Sequence, residues 1–82
     1  METRVALIGI MVEDDSEIAA LNAVLHEFSQ YIIGRMGIPY REGNVNIISV
    51  AVDAPQDTIS SLSGKIGRLS GISSKVIYSK KA

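Results

Sequence analysis

Arg4-Val5-Ala6-Leu7-Ile8-Gly9-Ile10-Met11-Val12-Glu13 is the stretch that decides the fold. In an extended chain Val5, Leu7, Gly9 and Met11 point one way, and Ala6, Ile8, Ile10 and Val12 the other. A strand that is apolar on both faces belongs in the middle of a sheet, buried on both sides. Val45 to Val52 repeats the pattern. Ile48, Val50 and Val52 share one face, and the less bulky Val45, Ile47, Ser49 and Ala51 share the other. The sheet therefore has two central strands.

What lies between and after these strands completes the order. Asp14 with Glu17 three residues on is a capping-box arrangement. Ile18, Leu21, Val24, Leu25 and Phe28 then recur at helical spacing, with Asn22, His26 and Gln30 on the opposite face. This helix should end near Ser29. Gln30 to Tyr40 alternates Ile32, Gly34, Met36 and Ile38 with Ile33, Arg35 and Gly37, which predicts a strand that bends and an edge position for Pro39. Arg41-Glu42-Gly43-Asn44 is a turn. Asp53-Ala54-Pro55 opens a second helix with the stripe Ile59, Leu62, Ile66 and Leu69, and Gly71 is a natural stop. Gly64 and Gly67 inside that helix each cost ~1 kcal/mol against alanine and suggest close packing against something. A last strand runs from Ser73 to Ser79.

The order β-α-β-β-α-β predicts one α+β domain over residues 1–82: a ferredoxin-like sandwich, with two helices on one face of a four-stranded antiparallel sheet. The helices can cover only one side of central strands that are apolar on both. An uncovered apolar face marks an interaction surface, and the simplest occupant is a second copy of the chain. A homo-oligomer, dimer or tetramer, is the expectation.

Composition narrows the chemistry. The chain has 82 residues, with 8 Lys and Arg against 9 Asp and Glu, a net charge of −1. That balance gives no electrostatic footprint for nucleic acid or anionic lipid. There is no cysteine, hence neither a disulfide nor a thiolate metal site. The apolar run after Arg4 falls well short of the ~20 residues that span a bilayer and ends in Glu13-Asp14-Asp15, so we expect a cytoplasmic protein without a signal peptide.

No motif carries catalysis. His26 is the sole histidine and lies off the apolar stripe. The acidic run Glu13-Asp14-Asp15 with Glu17 suits a helix start and lacks calcium-loop spacing. Ser63-Gly64-Lys65-Ile66-Gly67 is no P-loop, because Ile59 and Ile66 stand where a glycine and a hydroxyl residue are needed. No metal or cofactor is implied. Arg35 interrupts an apolar strand and, with Arg41, brackets Met36-Gly37-Ile38-Pro39-Tyr40. An arginine in that neighbourhood either meets an anionic partner or guards an edge.

Four strings resemble a known family: Val12-Glu13-Asp14, Leu25-His26-Glu27-Phe28-Ser29, Arg35-Met36-Gly37-Ile38-Pro39-Tyr40-Arg41-Glu42, and Asp57-Thr58-Ile59-Ser60-Ser61-Leu62-Ser63-Gly64-Lys65-Ile66-Gly67. They resemble the small regulators encoded with the iron-only hydrogenase maturation system. The resemblance implies an ACT-like ferredoxin fold, similar to the C-terminal domain of the nickel-responsive repressor, and a regulatory role. Nickel sensing does not carry over, since that repressor uses histidines and a cysteine. No ribbon-helix-helix segment is present either, so regulation of transcription would need a partner. The expectation is a non-enzymatic regulatory domain with a small ligand at a subunit boundary. Its candidate ligand-binding residues are Arg35, Gly37, Tyr40, Arg41, Gly64 and Gly67. The alternative is a structural module that docks onto hydrogenase maturation proteins.

Overall fold

A computed structural model describes residues 2–81. The elements are β1 (Arg4–Val12), α1 (Ile18–Glu27), β2 (Ile32–Tyr40), β3 (Val45–Ala54), α2 (Gln56–Gly67) and β4 (Ile72–Tyr78). The sheet order is β2-β3-β1-β4, with every neighbouring pair antiparallel. Each helical crossover thus skips one strand, which is the ferredoxin-like topology expected from the sequence. The two strands that are apolar on both faces, β1 and β3, are indeed central.

The core lies on one side of the sheet. Ala6, Ile8, Ile10 and Val12 of β1 and Ile48, Val50, Val52 and Ala54 of β3 are all buried. Leu21 and Leu25 of α1 and Ile59, Leu62 and Ile66 of α2 close over them. Every buried side chain among the described residues is apolar.

The element ends depart from expectation in ways that have local causes. Asp14 does not open α1. It caps a 3-10 turn at Asp15–Glu17, where its carboxylate accepts the Ser16 backbone N–H at 3.0 Å. Glu17 makes no side-chain cap, so the reciprocal half of the capping box is missing and α1 starts at Ile18. After Glu27 a second 3-10 turn, Ser29–Tyr31, leads into β2. The expected bend in β2 is a bulge: the register slips by one residue between Ile32 and Gly34. At the hairpin turn Asn44 alone takes a positive φ, and its N–H donates to the Arg41 carbonyl at 3.1 Å. Gly71 is not the stop of α2, which ends at Gly67. It turns the chain into β4 at φ +72°, and its carbonyl accepts the Glu13 N–H at 2.7 Å.

Among the described residues no helix covers the other side of the sheet. Antiparallel partners share a face, and the register aligns Leu7 with Ala51 and Ile77, Met11 with Ile47, Ile38 with Ile47, and Tyr40 with Val45. Val5, Leu7, Met11, Met36, Ile38, Tyr40 and Ile77 stand exposed there. From Ile33 to Tyr40 every residue of β2 is exposed on both faces.

Candidate functional site

Four of the six candidate residues sit on the β2 hairpin, and the bulge decides which way they point. It puts Ile32, Arg35, Gly37 and Pro39 opposite Val52, Val50, Ile48 and Asn46, on the helix side. Met36, Ile38 and Tyr40 take the open side. The simple alternation seen in sequence set Arg35 apart from Ile32; the extra residue at Ile33 brings the two to the same face.

Arg35 therefore reaches toward α1. Its Nη2 donates to Asn22 Oδ1 at 3.4 Å. A groove of about 350 Å³ runs there, lined by Asn22, Leu25, His26, Ser29, Ile32 and Arg35. Leu25 and Ile32 supply an apolar wall, and the other four are polar. Asn22 and His26 lie one helical turn apart, so their proximity was readable from the helix period. Their meeting with Arg35 depends on the bulge.

Tyr40 and Arg41 belong to a different place. They line a recess of about 200 Å³ at the hairpin turn with Asp15, Pro39, Asn44, Val45 and Asn46. Asn46 donates from Nδ2 to Asp15 Oδ1 at 3.3 Å, which ties the hairpin to the turn after β1. The Tyr40 ring lies so close to Gly43 that a Cβ there would stand 2.7 Å from it. Asp15, Asn44 and Asn46 carried no signal in sequence beyond turn chemistry.

Gly64 and Gly67 line neither cavity. Both are exposed on α2, and a Cβ on either would meet nothing within 4 Å. Among the described residues nothing packs closely against either glycine, contrary to the expectation from sequence. Between them Lys65 points to α1, pairing with Glu27 Oε2 at 2.7 Å and lying 5.3 Å from the centre of the Phe28 ring. Lys65 thus joins the two helices.

The acidic run is occupied by turn-making. The Ser16 backbone N–H, and then its side chain, hold the Asp14 carboxyl below its ordinary value. Asp15 accepts from Asn46. Among the described residues no three His, Cys, Asp or Glu side chains converge on a metal site. No helix among them is long and apolar enough to cross a membrane.

Comparison with known proteins adds two findings. Residues 4–76 match the family model named TM1266-like, described as "Iron-only hydrogenase system regulator, putative". The solved structure of the uncharacterized protein TM1266 from Thermotoga maritima superposes with a TM-score of 0.92 at 38% sequence identity. That match covers 96% of this chain and 100% of the other. No curated protein matches the chain.

Proposed function

The chain belongs to the TM1266-like family of iron-only hydrogenase system regulators, and from that membership we propose that it acts by binding rather than by chemistry. In this reading it is a non-enzymatic, cytoplasmic regulatory domain that self-associates and takes a small ligand at the boundary between copies. The observation that carries the reading is the exposure of β2. Eight consecutive residues, Ile33 to Tyr40, are exposed and carry both greasy and cationic side chains.

The ligand groups are assigned as follows. The Arg35 guanidinium, above the apolar wall of Leu25 and Ile32, suits a small carboxylate, for which a planar fork of donors gives two parallel hydrogen bonds. Arg41 offers the same chemistry at the hairpin turn beside Tyr40. Gly37, on the Arg35 side of β2, permits close backbone approach. Gly64 and Gly67 leave a bare flank on α2 that a ligand or a maturation partner could approach closely.

A thermal-shift screen against amino acids and small organic anions tests this. A ligand that binds only the folded chain raises its melting temperature with concentration, and Arg35→Ala should abolish the rise. No shift with any compound, or equal shifts in wild type and Arg35→Ala, sinks the ligand half of the reading. Co-purification with isolated hydrogenase maturation proteins, without any small-molecule effect, would favour the docking module instead.

A further inference from the structure

We infer that a second copy of this chain seats on the open sheet face, sheet against sheet, and does not pair edge to edge along β2. This rests on the self-association in the reading above and specifies its geometry.

The size is right. Seven large apolar side chains on that face, Val5, Leu7, Met11, Met36, Ile38, Tyr40 and Ile77, are between 43% and 67% exposed. Together they leave on the order of 600 Å² per copy, so two copies would bury ~1,200 Å², the lower bound of a stable specific interface. Left in water, such a continuous patch is unusual for a monomer.

The charges permit it. Along the four strands the open face carries only two charged residues, Asp53 opposite Val5 and Lys75 on the edge strand β4. They have opposite signs and sit at the border. The middle of the face holds no charge that contact would strand without water.

The relief suits interdigitation. Gly34, Ala51, Ser49 and Gly9 form a low diagonal across three strands, flanked by Leu7 and Met36, and a recess of about 270 Å³ opens along it. A Cβ at Gly9 or Gly34 would meet nothing within 4 Å. Packed sheets lie ~10 Å apart with their side chains interleaved, so such a trough accepts side chains from a facing sheet. Methionine, unbranched and adaptable, is well suited to fill it.

The edge, by contrast, is defended. Pro39 has no N–H to donate, and the bulge at Ile32–Gly34 breaks the ladder at the other end. Between the bulge and Pro39 the unbroken register runs only from Gly34 to Ile38, and alternate N–H groups there bond inward to β3, so few donors face a partner strand. Stacking leaves this edge free, and Arg35, on the helix side of β2, stays accessible.

Solution mass, methionine reactivity, charged variants and amide exchange decide it. Light scattering across a dilution series should give a mass at least twice the 8.8 kDa of one chain, falling on dilution. Peroxide oxidation of Met11 and Met36, read by mass spectrometry, should be severalfold slower in the assembled range than in the dissociated range. Met36→Lys and Leu7→Lys should each give a single-chain mass with an unchanged circular dichroism spectrum. A single-chain mass for the wild type at every concentration overturns the inference and the self-association with it. An assembly in which both methionines stay fully reactive, or in which a folded Met36→Lys chain still assembles, overturns the stacking alone. Protection of β2 edge amides from hydrogen exchange in that assembly would mark edge pairing instead. Should a lysine variant fail to fold, the wild-type oxidation result stands by itself.

Discussion

Ile10 and Met11 are neighbours in β1, equally greasy, and have opposite fates. Ile10 is fully buried under the helices, whereas Met11 is 44% exposed. The same contrast runs the length of the two central strands. Sequence can make both faces of a strand apolar, but topology supplies helices for only one of them. The covered face holds the monomer together, and the bare face is available for something else.

The largest expected effect tests that division directly. Ile10→Ala should destabilise the monomer by ~2–5 kcal/mol, the usual cost of a large-to-small change in a sealed core. Met11→Ala should change monomer stability by less than ~0.5 kcal/mol, as for an ordinary surface site. Urea unfolding at concentrations where the chain is dissociated measures both. Similar losses in the two variants would mean that the open face is packed within one chain.

Gly71→Ala comes next. The residue lies on neither face; it sets the turn that lines β4 up with β1. Its φ of +72° disfavours any side chain, and a Cβ would collide with the Asp14 side chain. A loss of ~1–3 kcal/mol is expected from the strained backbone, with the turn anchored by the Glu13 N–H at 2.7 Å giving way. A melting temperature within error of wild type would show that this turn relaxes freely.

How much of this was legible in advance follows from the range of the signals. The element order and the two-faced strands are local periodicities, and Ile8, Val50 and Leu62 announced their burial through them. Arg35 was legible as an oddity but not in direction. A single extra residue at Ile33 reverses the parity of the strand, and the composition of β2 announced a bend without showing at which residue the register slips. Gly64 and Gly67 misled for a related reason. A helix glycine signals that something approaches closely, and among the described residues nothing does. The start of α1 was misplaced because Asp14 has the chemistry of a helix cap but spends it on a 3-10 turn.

A smaller effect belongs to the helix layer alone. Lys65→Ala removes the ion pair with Glu27 and the contact with the Phe28 ring. Both charged side chains are more than one-third exposed, so the loss should be only ~0.2–1 kcal/mol and should shrink as salt is added. The assembly should be untouched, since Lys65 lies across the molecule from the open face. A change in solution mass in this variant would place a subunit contact on the helices instead.

The smallest effect is one of pH, at the turn that carries the chain from the sheet up to the helix layer. The Ser16 backbone N–H, with its side chain second, holds the Asp14 carboxyl below its ordinary value of 3.8. A carboxyl whose folded value is depressed adds stability that is present in full above the unfolded value and lost as pH falls through the folded one. The wild-type chain should therefore lose a little stability at acid pH through this group. Asp14→Asn keeps an oxygen to accept the Ser16 N–H but has no charge to titrate, so its stability should fall less steeply below pH ~4. Asp14 is exposed, and the difference will be visible only in paired unfolding curves taken at several acid pH values. Parallel curves for the two chains would mean that the Ser16 contact does not distinguish the charged from the neutral carboxyl, and that the turn is held by its backbone and by Gly71 alone.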